Sequence, residues 1–439
     1  MLKLAGPVIL AEIGWMSMGI VDTIMVGPLG PAAIGAAGMS NSLFFAVAVF
    51  GMGVMLGLDA LVAKSFGAGR RDDCVRWRQH GVLLALIVAP TIMLVFYAAL
   101  TTTGYWGLHP EVRVLAQPYM AILALGALPL LLYATFRRYL QGIHAVRPVM
   151  FALVSANLVN AFGNWLLIWG HFGFPALGVT GSAWATVVAR VYMAVFLGGA
   201  ILLEHRRLRT ISFTFDRARI AQLLGLGLPA ASQVTVEVGV FAAASAFAGM
   251  LDPVSLGSHQ IALNIAAMAF MIPLGLSSAA AVRVSHALGA RDTARAVQAG
   301  WTAFAVGATI TGAIGVLFLL TPLTLLRLFS ADPQVLTIGT RLLSIAAAFQ
   351  LFDGTQAVAT GVLRGAGDTR IPMIMNIFGH WVLGLPVGWL LCFRAGWGVA
   401  GLWIGLSLGL IFVAVVLTFT WRWHTKHLVP VPSAMTTSP

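Results

Sequence analysis

The chain has 439 residues, of which 59% are hydrophobic and only 9% are charged. A soluble domain carries about 25% charged residues. The mean hydropathy of this chain is +0.92, a value typical of integral membrane proteins. This composition excludes an ordinary soluble protein and indicates a polytopic membrane protein.

Apolar stretches long enough to cross a bilayer recur from one end of the chain to the other. They do not alternate apolar and polar residues as barrel strands do, so they predict membrane helices. The fold class we predict is therefore an all-α polytopic membrane protein. We predict about twelve spans, near 5–27, 33–63, 80–101, 115–139, 148–169, 180–203, 220–249, 254–282, 299–325, 337–363, 372–393 and 398–423.

The formal net charge of +12 is concentrated in alternate connections between these spans. The connections 27–31 and 170–179 carry no formal charge, which matches the positive-inside pattern. That pattern places both termini, with Lys3 and Lys426, in the cytoplasm. The excess of Lys and Arg therefore reflects membrane topology, and we expect a lipid bilayer rather than nucleic acid as the partner. The basic clusters lie at 64–78, 137–147, 206–219, 283–295 and 364–370.

An internal repeat relates the two halves of the chain at an offset of about 220–224 residues. Pro7 aligns with Pro229, for example, and the loop 65–72 aligns with 285–292. Six spans per repeat give both copies the same orientation, so we expect two parallel six-helix lobes around a central cleft. The predicted domains are an N-terminal lobe at 1–203, a cytoplasmic linker at 204–219, a C-terminal lobe at 220–423 and a cytoplasmic tail at 424–439.

Three acids, Asp22, Glu237 and Asp353, fall deep inside predicted spans. A carboxylate near the centre of a membrane helix costs about 2.5–3.5 kcal/mol, and such residues usually line an ion or substrate path. The alternative is a carboxylate that is hydrogen-bonded to a neighbouring helix for packing. Two further acids are better explained as structural, because Glu12 lies near a span end and Asp59 can pair with nearby Lys64.

Three amides, Asn157, Asn160 and Asn164, share one face of the fifth predicted span. Amide and carboxylate oxygens suit a small hard cation, and Asp22 could equally hold a proton, so the residues favour neither Na⁺ nor H⁺. Hydrogen bonding between helices explains the amides equally well. Arg190 lies within a span, where it either counters a carboxylate or extends its charged end to the interface.

Several motifs together resemble the multidrug and toxic compound extrusion (MATE) family, most closely its bacterial NorM-type branch. The resemblance covers nearly the whole chain and rests on the order of the motifs. They are Pro7 with Val21-Asp-Thr-Ile-Met-Val-Gly27, Ser65-x-x-x-Gly69, Leu140-Gln-Gly142, Asn157-x-x-Asn-x-x-x-Asn164 and Leu363-Arg-Gly-Ala-Gly-Asp-Thr369.

The resemblance implies a secondary active efflux transporter for organic, often cationic, compounds, driven by Na⁺ or H⁺ through alternating access of the two lobes. The family's ion-coupling residues fall on Asp22, Asn160, Asn164, Glu237 and Asp353. The three acids are also the expected substrate-binding residues, and they become metal ligands if Na⁺ is the coupling ion. Asn164 stands where some archaeal relatives have an aspartate, so the first site carries one charge fewer here.

Other classes of protein fit the sequence less well. The nearest alternative is a flippase for lipid-linked precursors, which would place basic residues deep in the cavity, whereas the deep residues here are mainly acidic. No phosphate-binding loop and no His-Glu-x-x-His motif occurs, and no catalytic cluster converges, so we expect no enzyme and no cofactor. We expect a monomer in the bacterial inner membrane that binds small organic cations or drugs.

Overall fold

The computed structural model describes residues 2–106, 109–205 and 212–428, and the helices account for most of them. Residues 429–439 of the predicted tail (424–439) and residues 206–211 of the predicted linker lie outside the described residues. The helices of the N-terminal half are α1 Leu2–Val26, α2 Pro31–Val54, α3 Gly57–Gly67, α4 Arg71–Thr102, α5 Pro110–Leu125, α6 Ala127–Gly142, α7 Val146–Trp169 and α8 Val179–His205. Those of the C-terminal half are α9 Arg217–Gly249, α10 Pro253–Gly289, α11 Thr293–Leu320, α12 Pro322–Arg327, α13 Pro333–Ala366, α14 Arg370–Asn376, α15 Leu385–Trp389 and α16 Val399–Leu428.

The prediction of about twelve membrane spans is confirmed. Eleven helical segments of the described chain are long and apolar enough to cross a bilayer, and the bent pair α5–α6 supplies a twelfth. Helices α2 and α3 form one span with a short break at Met55-Leu56, whereas α5 and α6 meet at Gly126 with a bend of 40°. Breaks of this kind are tolerated in lipid because packed neighbours satisfy the freed backbone groups.

Several predicted boundaries are wrong by five residues or more, and two of them have a clear physical reason. The ninth span was expected at 299–325, but α11 ends at Leu320 because Pro322 lacks the N–H needed to continue the helix. The third was expected from residue 80, but α4 already begins at Arg71, since a helix can extend beyond the apolar stretch into water. The eleventh span, Arg370–Arg394, contains two wider π-helical segments at Ile377–Gly384 and Leu390–Arg394.

Most helix packing lies within each half of the chain. We call α1–α8 the N-terminal lobe and α9–α16 the C-terminal lobe. In the N-terminal lobe α7 packs between α1 and α8, and in the C-terminal lobe α13 packs against α10, α11 and α16. These contacts bring α1, α7 and α8 together, so those three spans can share a polar site.

The two lobes meet along α1–α3 on one side and α9–α10 on the other. Glycines allow the backbones to approach closely at this seam. A Cβ at Gly67 would strike the backbone of His286, and a Cβ at Gly289 would strike that of Lys64. All four residues lie at the ends of α3 and α10 that are predicted to face the cytoplasm, so the lobes are tightly packed there.

Candidate functional site

Asp22 lies in a polar site inside the N-terminal lobe. Its carboxylate is almost fully buried and accepts three side-chain hydrogen bonds from two other spans. Asn160 Nδ2 and Asn164 Nδ2 donate to Oδ1 at 3.0 and 2.7 Å, and Thr186 Oγ1 donates to Oδ2 at 2.8 Å. Helices α1, α7 and α8 are therefore joined around one carboxylate.

The spacing of the amides on α7 explains this local geometry. Asn160 and Asn164 are one turn apart, so both reach Asp22 from the same face of the helix. Asn157, one turn earlier, donates instead to the carbonyl oxygen of Gly14 on α1 at 2.9 Å. The predicted shared face is confirmed, and Asn157 on it joins α7 to α1.

Thr186 is a part of this site that the sequence analysis missed. It lies on α8, and its hydroxyl also donates toward the carbonyl oxygen of Ser182, one turn earlier. Threonine is common in apolar helices because it can bond its own backbone, so the residue alone gave no signal.

Arg190 lies one turn after Thr186 on α8, and its side chain is buried within the lobe rather than extended to the interface. Its guanidinium packs 4.2 Å from the centre of the Phe44 ring and interacts electrostatically with Asp22. Of the two roles expected for Arg190, this burial speaks against extension of its charged end to the interface.

Glu237 and Asp353 form the acidic site of the C-terminal lobe, on α9 and α13. Asp353 is 8% exposed, while Glu237 is half-buried. The two carboxylates are close enough to repel each other, and Glu237 also interacts with the side chain of Gln356. Within the described part of the chain, no group donates a hydrogen bond to Asp353 and no Lys or Arg interacts with either acid.

Uncharged polar side chains surround this acidic pair. Gln356 Nε2 donates to Asn376 Oδ1 at 3.0 Å, and Gln233 Nε2 donates to Thr360 Oγ1 at 3.3 Å. Gln350 is fully buried, yet neither end of its amide has a hydrogen-bond partner among the described residues. Polar residues at 350, 353, 356 and 360 follow helical spacing within an apolar span, a signal that the sequence analysis did not use.

The three acids do not converge on a single centre. Among the described residues, no group of three His, Cys, Asp or Glu side chains is placed to hold one metal ion. Asp22 with its amides forms one site, and Glu237 with Asp353 forms another. Oxygens that suit a small cation are present in both, since Asn164 Oδ1 and Gln356 Oε1 are buried without a partner in the described chain.

Glu12 and Asp59 both form ion pairs with arginines, and Asp59 does not pair with Lys64. Asp59 Oδ2 lies 3.2 Å from Arg138 Nη1, and Glu12 pairs with Arg137. The expectation was wrong because residues five apart on a helix point in different directions.

These ion pairs lie close to where the two lobes meet. Arg138 Nη1 also donates to Ser278 Oγ of the C-terminal lobe at 3.3 Å, and buried Arg364 of that lobe interacts electrostatically with Asp59. Asp59 therefore interacts with an arginine of each lobe, Arg138 and Arg364, where the two lobes meet.

This arrangement defines a helical membrane protein made of two repeats, each with its own buried acidic site. The MatE family model matches the chain twice, at residues 7–166 and 229–390, so the second match begins 222 residues after the first. The predicted repeat is thereby confirmed, and the chain belongs to the MatE family.

Relatives and solved structures agree with this assignment. The chain is 36% identical over 431 residues to a probable multidrug resistance protein NorM of Mesorhizobium japonicum, covering 96% of this chain and 92% of the relative. It is also 36% identical to the multidrug resistance protein NorM of Burkholderia vietnamiensis, covering 97% and 93% of the two chains. The eukaryotic MATE transporter AtDTX14 superposes with a TM-score of 0.88 at 21% identity, covering 97% of both chains, and a MATE in the bent conformation with a TM-score of 0.89 at 20% identity, covering 97% and 95%.

Proposed function

We propose that the protein is a secondary active multidrug efflux transporter that exports organic, often cationic, compounds in exchange for Na⁺ or H⁺. The observation that carries this proposal is the pair Glu237 and Asp353, two acids inside a MatE-family membrane fold with no basic residue of the described chain to neutralise them. The names of the NorM relatives support multidrug transport as the activity. No enzyme activity and no cofactor is part of the proposal.

The proposed ion-coupling residues are Asp22, Asn160, Asn164, Glu237 and Asp353, and the three acids also attract the cationic substrate. Two carboxylates that repel each other in an apolar lobe bind a cation favourably, because the cation offsets their charge where water cannot. A coupling ion and a cationic substrate therefore compete for the same charge. Bound Na⁺ would take oxygen ligands from these acids and from the neighbouring amides.

Transport then requires that the ion and the substrate favour different arrangements of the two lobes. Each ligand can shift the equilibrium only by its difference in affinity for the two arrangements. We propose that the lobes, divided at the linker 204–219, alternate around a cleft between them. The closely packed seam of α3 and α10 must separate for the cleft to open toward the cytoplasm.

We further propose that the protein is a monomer in the bacterial inner membrane, with both termini in the cytoplasm. Charge distribution supports the orientation. A flippase for an anionic lipid-linked precursor is less consistent with the site, since its charged residues in the C-terminal lobe are the acids Glu237 and Asp353, which would repel a phosphate.

Efflux from vesicles tests this function. Ethidium efflux is measured under an imposed Na⁺ gradient and, separately, under an imposed pH gradient, for the wild type, Glu237→Gln and Asp353→Asn. We expect gradient-driven efflux in the wild type and at least a tenfold lower rate in both variants. Glu111→Gln, at an exposed acid in the first turn of α5, is the matched control and should transport normally.

Unimpaired gradient-driven efflux in both variants, at matched amounts of protein, would contradict the proposed mechanism. Dependence on one gradient alone would identify the coupling ion.

A further inference from the structure

A buried histidine joins the linker between the two lobes to the N-terminal lobe. His80 lies on α4 with no exposed surface, and its Nε2 is 2.9 Å from the backbone nitrogen of Asp216 in the linker. Its Nδ1 is 2.8 Å from the carbonyl oxygen of Arg76, one turn earlier on α4. The imidazole ring therefore connects α4 to the residue that immediately precedes α9.

These two partners determine the protonation state of the ring. A backbone N–H can only donate and a carbonyl oxygen can only accept, so Nε2 carries no proton and Nδ1 carries one. His80 is therefore neutral in this structure. A second proton would bind at Nε2 and point at the N–H of Asp216, so a charged ring is incompatible with this hydrogen bond.

The rest of the described linker makes only loose contact with α4. The rings of Phe213 and Phe215 lie with their centres 5.5 and 6.4 Å from the centre of the His80 ring. Both phenylalanines remain exposed over more than half of their surface, at 52% and 61%. Since they bury little apolar area, the directional hydrogen bond to His80 is what fixes the position of this segment.

Charged side chains extend the same joint into α9. Asp216 Oδ1 accepts hydrogen bonds from the N–H groups of Ala218 and Arg219 at the start of α9. Arg219 Nη2 lies 2.6 Å from Asp73 Oδ1 on α4, and Arg219 Nε lies 3.3 Å from Asp216 Oδ2. Both carboxylates of this joint are thus already paired with Arg219.

The surrounding charge does not favour a protonated ring. The nearby elements α3, α6 and α9, which pack against α4, contribute the ionisable residues Asp59, Lys64, Arg137, Arg138, Tyr139, Arg217 and Arg219 at this end of the molecule. The acid among them, Asp59, is paired with Arg138. On α4 itself, Arg76 and Arg78 flank the histidine and add positive charge.

We propose that His80 is a positioning residue: in its neutral form it fastens the linker and the start of α9 to the N-terminal lobe, and acidification releases them. The linker is where the chain passes from one lobe to the other, so its attachment restrains their relative movement. This inference concerns the linker alone and goes beyond the proposed efflux activity. It can fail while gradient-driven efflux, and its loss in Glu237→Gln, still stand.

Hydrogen exchange at the backbone amide of Asp216 tests this directly, because that N–H is the donor to His80. The purified full chain is measured at about pH 8 and about pH 5, on either side of the range in which histidine takes up a proton, with each rate divided by its intrinsic rate. In the wild type we expect at least tenfold lower protection at the lower pH. The amide of Thr321, bonded to the carbonyl oxygen of Leu317, should keep its protection.

Two substitutions separate the acceptor from its titration. His80→Gln offers an amide oxygen that accepts the same bond but takes up no proton in this range, so protection should stay high at both pH values. His80→Phe has no acceptor, and protection should be low at both. His109→Gln, at an exposed histidine before α5, is the matched control and should behave as the wild type does.

Two results would overturn the inference. One is a wild-type protein whose Asp216 amide is equally protected at both pH values. The other is a His80→Gln protein that keeps the pH dependence of the wild type, since another group would then be responsible. If His80→Phe does not fold, the comparison of wild type with His80→Gln still decides.

Discussion

The two lobes stabilise a buried carboxylate in opposite ways. In the N-terminal lobe, Asp22 accepts hydrogen bonds from Asn160, Asn164 and Thr186 and has Arg190 beside it. In the C-terminal lobe, Glu237 and Asp353 repel each other. The first carboxylate has three hydrogen-bond donors and an arginine within electrostatic reach, whereas the second pair interacts with no Lys or Arg among the described residues.

This difference shows how a repeated fold acquires two unlike sites. The repeat copies the helices and their packing, but it does not copy the charged residues: Asp22 and Glu237 lie at different positions of their repeats. A carboxylate with its own guanidinium can act as a fixed structural element. A pair of acids without one must take its positive charge from an ion or a substrate.

The largest change in Tm is expected when the arginine near Asp22 is removed. Arg190→Met leaves the Asp22 carboxylate buried without a cation, and removing one partner of a buried charge pair costs about 3–5 kcal/mol. We expect a clearly lower Tm in choline chloride, where no small cation can substitute. Arg341→Met is the control, and an unchanged Tm for Arg190→Met would contradict the pairing with Asp22.

A smaller loss is expected when one hydrogen bond to Asp22 is removed. Thr186→Val keeps the shape of the side chain but removes a hydrogen bond to a charged group, which contributes about 1.5–3 kcal/mol. Thr355→Val is matched, because that exposed hydroxyl bonds only the carbonyl oxygen of Leu351 on its own helix. Equal changes in Tm for the two variants would show that the Thr186 hydroxyl contributes nothing to the site.

A substitution in the C-terminal lobe is expected to change the Tm in the opposite direction. Asp353→Asn relieves the repulsion with Glu237, so without Na⁺ the Tm should rise, by an amount on the order of 1 kcal/mol in stability. The measurement is thermal unfolding in choline chloride, beside Glu111→Gln at an exposed acid of α5 as control. A fall in Tm would indicate that Asp353 has a stabilising partner, and the contrast between the lobes would disappear.

The smallest effect concerns the seam, where both lobes contribute a histidine. The rings of His144 and His286 stack at 4.2 Å, and burial together with the positive charge of Arg283 lowers the pKa of His144. Because the folded protein then binds a proton less readily than the unfolded chain, stability falls as the pH drops below about 6.5. His144→Phe should flatten that part of a plot of Tm against pH, and a plot that keeps its slope would exclude His144 as the cause.

Hydropathy and charge predicted the membrane part of the fold, because lipid imposes the same length and polarity on every span. The repeat could be recognised from the sequence because proline and glycine positions recur in the same order in both halves, as Pro7 and Pro229 do inside α1 and α9. The α2–α3 break and the π-helical segments were not predicted, since neighbouring helices rather than local sequence make them possible.

The sequence predicted those site residues whose polar side chains lie inside an otherwise apolar span. Three acids and a run of asparagines stand out inside apolar spans, and helical spacing was enough to place Asn160 and Asn164 together. The partner of Asp59 was not predictable, because Arg138 is 79 residues away in the chain and is brought close only by packing. The choice between two roles for Arg190 likewise needed its burial against Phe44.

A coupling cation and a cationic substrate are proposed to compete for Glu237 and Asp353. The most direct measurement is ethidium binding to the purified protein by fluorescence anisotropy, with Na⁺ and H⁺ titrated as competitors. We predict that one of these cations displaces ethidium from the wild type and from Glu111→Gln, and that displacement is lost in the Glu237→Gln/Asp353→Asn double variant. Displacement of ethidium from the double variant at the wild-type cation concentration would contradict the account.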